Sequence, residues 1–268
     1  MKYWLYLCGV KPKENLDMEE KILTREIVEA NGWDKLEVIT ADMLEGYTEI
    51  GYEAFEDCAV KEITLPETIK VIHNYAFSGT LLKRVTLPES MVSILGFVFA
   101  NCNELEEVIF KGEKISLIGP YLFANCSQLK YVKLSKNITY CDRVFWDCPT
   151  ITSKFEIQDY SKPVVAYKGF HKFMTCMNGF QYEEGETYMF EGEPILCGCG
   201  FHACLNPLEV FNYYPVYEGN VYHEVILEGV SEERLADSKV VAKKITIGRE
   251  LTKEEMIEIF NKKVNGEN

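Results

Sequence analysis

The chain has 268 residues, with 42 acidic against 28 basic side chains, a formal net charge of −14 and a pI of about 4.9. That balance excludes a sequence-independent nucleic-acid binder, which needs a basic stripe to neutralise phosphates. A content of 47% hydrophobic and 13% aromatic residues excludes a disordered tail and leaves one or two domains, each long enough to bury a core.

The most apolar start, Tyr3 to Val10, is eight residues behind a single Lys2. That is too short for an export signal or a membrane span, so no membrane association and a cytoplasmic location are expected. The ten cysteines are then expected to stay reduced. Tyr3 to Cys8 reads as a strand. Asp17 and Glu20 have the spacing of a capping box, opening a helix to Asn31-Gly32. Leu36 to Ile39 reads as a degenerate first coil. Residues 1–44 are therefore expected to form a strand-and-helix cap.

A repeat follows. Phe55, Phe77, Phe99, Phe123 and Phe145 stand at intervals of 22, 22, 24 and 22. An aliphatic residue lies five positions before each of the first four (Ile50, Ile72, Ile94, Ile118), with Tyr140 in the fifth. A cysteine lies three after (Cys58, Cys102, Cys126, Cys148), with Thr80 as the exception. Downstream come the alternating pairs Ile63/Leu65, Val85/Leu87, Val108/Phe110 and Val132/Leu134, the pattern of a short strand with one buried face. Pro66 and Pro88 close the first two strands, since proline donates no ladder hydrogen bond. A unit this short cannot bury its own apolar face. Stacked units share a continuous core, with each Phe of the repeat core on the next. The fold class expected is α+β: an N-terminal right-handed solenoid over residues 45–152, with the cap before it and a smaller α+β domain after it. The repeat cysteines read as small buried hydrophobes.

The phrases IGYEAFEDCAVKEITLPETIKVIHNYAF and LGFVFANCNELEEVIF resemble BspA-type leucine-rich repeats, over roughly residues 45–150. The resemblance implies an interaction surface and a protein partner. Exposed strand positions such as Thr64, Thr86 and Lys133 are the expected contacts.

Polar residues 153–162, ending at Pro163, read as a linker to a second domain over 163–268. There Val164–Tyr167, Tyr188–Phe190, Val221–Leu227 and Val240–Ile247 read as strands. Pro207–Tyr214 reads as a short helix capped by Asn206. Thr252 with Glu255 opens a terminal helix in which Met256, Ile259 and Phe260 share a face. Cys197, Cys199, His202 and Cys204, with Cys176 upstream, offer soft ligands for zinc, but a C-x-C spacing is not that of a zinc knuckle. Reduced packing thiols and a reactive cysteine are the alternatives, and His202 is either a ligand-binding group or the anchor of a turn.

The phrases Ala166-Tyr-Lys-Gly-Phe170, Gly200-Phe-His-Ala-Cys204 and Asn206-Pro-Leu-Glu-Val-Phe211 resemble an uncharacterised domain of phage and bacterial proteins, spanning roughly residues 163–252. The resemblance implies a phage or bacterial origin, and the host cytoplasm if the chain is phage-encoded. Two functions follow. In the first, the chain is a non-enzymatic binding protein whose second domain adds a ligand or partner site, with Tyr167, Lys168, Phe170, Phe180, Tyr182, His202 and Arg249 as binding candidates and no cofactor. In the second, the domain is similar to ADP-ribosyltransferases and uses NAD, which implies roles for Lys168, His202, Tyr213, Tyr214 and Glu224 or Glu228, with Lys168 where that family has His or Arg. A fixed carboxylate there would stabilise oxocarbenium charge as the nicotinamide bond breaks.

Overall fold

A computed structural model describes residues 21–135, 137–140, 143–176, 179–216, 219–233 and 237–267. The expected strand at Tyr3–Cys8 and the Asp17/Glu20 pair lie outside the described residues. The first half runs β1 (Ile22–Leu23), α1 (Arg25–Ala30), β2 (Val38–Ile39), β3 (Glu49–Ile50), β4 (Glu62–Ile63), β5 (Val71–Ile72) and β6 (Arg84–Leu87). It continues with β7 (Ser93–Ile94), β8 (Glu107–Phe110), β9 (Leu117–Ile118), β10 (Tyr131–Lys133) and β11 (Thr139–Tyr140). Each repeat supplies one strand to a six-stranded parallel ladder, β1-β3-β5-β7-β9-β11, and a second to the ladders β6-β8-β10 or β2-β4.

Ile22 and Leu23 pair with Glu49 and Ile50 as the outermost rung. The segment thus extends the ladder by one rung. The helix is correspondingly shorter than the capping-box spacing predicts: it begins at Arg25 after Thr24, because the preceding residues are drawn into the rung, and it ends at Asn31 with Gly32 left-handed.

The phenylalanines form one stack. Centroids of Phe55, Phe77, Phe99, Phe123 and Phe145 are separated by 5.4, 5.7, 5.8 and 5.5 Å, with nearly parallel planes. Burying each ring is worth about 3 kcal/mol. The repeat thiols line this stack as weak donors: Cys102, Cys126 and Cys148 each reach back one rung, to the carbonyls of Phe77, Phe99 and Phe123 at 3.1, 3.0 and 2.8 Å. Burial pushes Cys102 up to about 11 and Cys148 up to about 12, so these thiols stay protonated and inert. Thr80, in the cysteine's place, gives its hydroxyl to Phe77 O at 2.8 Å. Two positions per coil are left-handed, the residues two before and two after the stacked Phe. Outside the core, Tyr75, Phe97 and Tyr121 stack at 4.8 and 4.9 Å, and the Arg143 guanidinium closes the row on Tyr121 Oη at 2.8 Å.

The second half runs α2 (Pro149–Thr152), β12 (Val164–Phe170), β13 (Thr187–Met189), β14 (Phe201–Cys204), β15 (Val221–Val230), β16 (Lys239–Leu251) and α3 (Lys253–Asn265). β14 falls where the sequence showed only a cysteine-histidine run, because four residues are too few for a readable alternation. β12 pairs with β14 and β15, and the long β16 pairs with both of those, so the four strands close a ring, with β13 added at the side of β16. Closure removes the exposed sheet edge that an open sheet would leave.

The stretch expected as a linker is packed. Phe155 is buried and stacks on Phe260 of α3 at 5.8 Å, and Phe260 stacks on Phe145 at 5.1 Å. The phenylalanine column therefore continues out of the repeats into the terminal helix. Asn261 completes the join: its Nδ2 donates to Leu134 O at 2.9 Å, and its Oδ1 accepts from Leu134 N–H at 3.0 Å, the two bonds a further rung would make. The capping box at Thr252 and Glu255 is formed, and the buried face of α3 is Met256, Ile257, Phe260 and Val264, with Ile259 half-buried. Among the described residues, no helix is long and apolar enough to cross a membrane.

Candidate functional site

Strand alternation sends Ala166, Lys168 and Phe170 of β12 to the interior of the ring. Lys168 faces His223 of β15 in register. Lys168 is only 7% exposed, and its Nζ donates to the His202 backbone carbonyl at 2.8 Å. The same ammonium lies over the rings of Phe170 and Tyr182, at 5.4 and 5.7 Å. Burial lowers its affinity for the proton, and no carboxylate among the described residues pairs with it.

Cys176 joins this group from the turn after β12. It is half-buried, its N–H donates to Phe180 O at 3.0 Å, and its carbonyl accepts from Gly179 at 2.8 Å. Tyr182 stacks at a tilt on Phe170 at 5.2 Å and edge-on to Tyr188 at 5.0 Å, and Tyr214 packs against the His171 ring at 5.1 Å. Burial first, and then the neighbouring Cys176 thiol, pushes the hydroxyls of Tyr182 and Tyr214 well above their ordinary range. The Tyr214 ring lies against β12 because Gly169 leaves room: a Cβ at that position would meet the ring at 2.5 Å. His223 is 1% exposed, donates from Nδ1 to Gly248 O at 2.9 Å, and leaves a buried Nε2 with no hydrogen-bond partner among the described residues.

The other expected site residues scatter. Tyr167 points to the opposite face, beside Glu224, and burial together with that carboxylate pushes it to about 12. The His202 imidazole turns away from Lys168 and accepts from Cys197 N–H at 3.1 Å, and burial followed by the Lys168 and Lys239 charges lowers its affinity for a proton. This is the turn-anchoring role. Tyr213 donates to Asp237, Glu228 pairs with Lys244 at 2.6 Å, and Arg249 pairs with Glu255 at 2.8 Å beside the start of α3. Phe180 packs edge-on to Tyr182 at 4.7 Å. Of the groups named by the transferase reading, Lys168 and His202 meet through the His202 backbone carbonyl, and Tyr214 packs against Gly169 of the same strand as Lys168.

The zinc candidates do not form one set either. Cys197 and Cys199 are exposed in a turn closed by Ile195 N–H to Cys199 O at 2.8 Å, Cys204 is buried, and Cys176 lies half-buried in the turn after β12. Among the described residues, no three Cys, His, Asp or Glu side chains are arranged to hold a metal. Sequence reasoning missed Glu209, a buried carboxyl that accepts from Ser238 N–H at 2.6 Å and that burial raises to about 7. It also passed over His223, for which the only available signal was its place on the apolar face of a strand.

The repeats present a second surface. Thr86, Ile109 and Lys133 lie side by side in register on β6, β8 and β10, facing outward, and Thr64 is exposed just beyond β4. The neighbouring outward row is Arg84, Glu107 and Tyr131, in which Arg84 and Glu107 pair at 3.3 Å.

Residues 48–171 match the family model of the BspA type leucine rich repeat region, in six copies, and residues 164–259 match that of a domain of unknown function, DUF7666. The last residues of the repeat match fall on β12 of the ring. No curated protein matches the chain. Among solved structures, the leucine-rich repeat protein of Treponema pallidum is 24% identical, with a TM-score of 0.41, and the match covers 44% of this chain and 56% of that one. A leucine-rich repeat protein from Bacteroides ovatus is 27% identical, with a TM-score of 0.34, over 44% of this chain and 37% of that one. The chain therefore spans less than two thirds of either protein. It carries a BspA-type leucine-rich repeat region joined to a domain of the DUF7666 type.

Proposed function

We propose that the chain is a non-enzymatic protein-interaction module whose contact surface is the outward row Thr86, Ile109 and Lys133, with Thr64 at its edge. The observation that carries this reading is the register of that row. Three side chains from successive coils stand on one parallel ladder, held by a continuous phenylalanine stack beneath. A rigid, regular face of this kind loses little side-chain freedom on binding, which favours affinity without any chemistry. Arg84 with Glu107 and Lys130 with Glu106, at 2.8 Å, neutralise one another across the coils. The face therefore suits a partner of mixed polarity more than a strongly charged one.

The test places a photo-crosslinking residue at Thr86 or at Lys133 in the full chain and compares adducts with those of a T86E/I109E/K133E variant in cell extract. A defined adduct protein at both positions, lost in the variant while the melting midpoint is kept, is the expected result. Equal capture by the variant would sink the reading.

A further inference from the structure

We propose that β13 is a docking edge for an extended basic segment of a partner protein, which pairs with it as a further strand. This surface is distinct from the outward row of the repeats and stands or falls separately from it. Each strand of the ring has a neighbour on both sides, but β13 has one only, β16. Ile247 N–H donates to Glu186 O at 2.9 Å and Phe190 N–H to Lys243 O at 2.7 Å, so the backbone groups of alternate residues serve that ladder. Thr187 and Met189 fall between them and turn their N–H and C=O groups away from β16. Among the described residues, nothing bonds to those four groups. The strand is held in shape from the other side: Thr187 Oγ1 meets Thr246 Oγ1 at 2.9 Å, and Tyr188 Oη accepts from Glu183 N–H at 2.9 Å. Apolar side chains flank the edge on both faces. Met189 is 71% exposed on one, and Phe180, 44% exposed, packs at 5.5 Å against Tyr188 on the other.

The charge around the edge decides its occupant. From Phe173 to Glu233 the sequence holds eleven glutamates and no aspartate, lysine or arginine. Four of these, Glu183, Glu184, Glu186 and Glu191, bracket β13 and are exposed. Among the described residues, no lysine or arginine pairs with any of the four, whereas Glu193 is neutralised by Lys243 at 2.6 Å. Open edges are commonly blunted by lysine or proline, and β13, Thr-Tyr-Met, carries neither. A second copy added edge to edge would set two acidic borders against each other, and like charges across a strand pair destabilise it. A strand that alternates basic and apolar residues gains main-chain bonds at Thr187 and Met189, contact with Phe180, and the opposite charge to its surroundings.

The probe is a fluorescently labelled peptide of alternating lysine and valine, titrated with the full chain at low salt and followed by anisotropy. Saturable binding is expected, weakened by about tenfold when the peptide is N-methylated along the edge that would pair. Met189→Pro removes one outward N–H that the β13–β16 ladder does not use, so it should weaken binding by about tenfold with the melting midpoint kept. Should that variant fail to fold, the N-methylated peptide carries the same test on the native chain. Glu183→Gln with Glu186→Gln and Glu191→Gln should weaken binding severalfold and flatten its salt dependence. Equal binding of the N-methylated peptide would reduce the contact to charge alone and overturn the proposal, as would equal binding of a glutamate–valine peptide. A dimer of the native chain that Met189→Pro dissociates in sedimentation would assign the edge to a second copy and overturn it too.

Discussion

The two halves of the molecule hide polar groups in opposite ways. Among the described residues, the buried polar side chains of the repeats are hydroxyls, Thr48, Ser78, Thr80 and Ser135, whereas the second half buries Lys168, Glu209 and His223. The difference follows from geometry. A coil that must fit identically above and below itself has room for thiols and hydroxyls that satisfy a neighbouring carbonyl, as Cys126 does at 3.0 Å, but an ionised group would need a partner in every coil. A closed ring of unlike strands can surround a single charge with a single set of partners. The Phe145–Phe260 stack joins ring and repeats into one packed body.

That join is where the contrast can be broken most forcefully. If the terminal helix closes the repeat stack, Phe260→Ala opens a cavity against both Phe145 and Phe155. The loss should be about 3–5 kcal/mol. In urea unfolding, the repeats and the ring should lose stability together in one transition. A variant that unfolds in two steps, with the repeat transition at its wild-type midpoint, would show that the halves are independent.

Glu209 sharpens the comparison by pH. It sits on the Pro207–Asn212 helix that packs beside α3, and burial raises its carboxyl to about 7, partly opposed by the Ser238 hydrogen bonds. The folded state thus binds a proton that the unfolded chain, near the ordinary value of 4.5, has released. Stability contributed by this group is fully present below pH 4.5 and falls as pH rises to about 7, by about 3 kcal/mol in all. Glu209→Gln should flatten that stretch of the stability profile between pH 5 and pH 8. Equal slopes in the two proteins would show that the carboxyl does not hold its proton.

The smaller partner of Phe260 at the join is Asn261. Replacing it with Leu leaves the N–H and carbonyl of Leu134 without the partners that a next rung would supply. A loss of about 2 kcal/mol is expected, with the midpoint moved and the denaturant slope unchanged. Asn261→Gln, which carries the same groups on a longer arm, should recover part of it.

Much of this architecture is written in the sequence. The interval of the phenylalanines specifies the stack, because a fixed period leaves only one way for each apolar face to find cover. The outermost rung is not legible in the same way. Ile22 and Leu23 have no Phe-centred frame around them, and only their pairing with Glu49 and Ile50 reveals the rung. In the second half, Ala-Tyr-Lys-Gly-Phe shows β12, and its alternation already puts Lys168 among apolar neighbours. The partners of Lys168 stay hidden, since Tyr182 and His202 come from segments with no shared spacing and meet only when the ring closes. The spacing leaves His202 as either a ligand-binding group or the anchor of a turn, and its imidazole accepts from Cys197 N–H at 3.1 Å.

The smallest effect expected is at the start of the terminal helix. Thr252 accepts from Glu255 N–H at 3.2 Å, and the Glu255 carboxylate accepts from Thr252 N–H at 2.8 Å and from Arg249 at 2.8 Å, a box that closes the first turn. Thr252→Ala removes one accepted bond from an exposed turn and should cost about 1 kcal/mol. The informative part is where that loss appears. A helix belonging to the ring alone would pass the cost only to the ring, whereas a helix that ends the phenylalanine column must pass it to the repeats as well. Hydrogen exchange of Thr252→Ala should therefore show faster opening at the amides of β10 and β11 by the same factor as in α3. Exchange unchanged in those rungs would confine the helix to its own half.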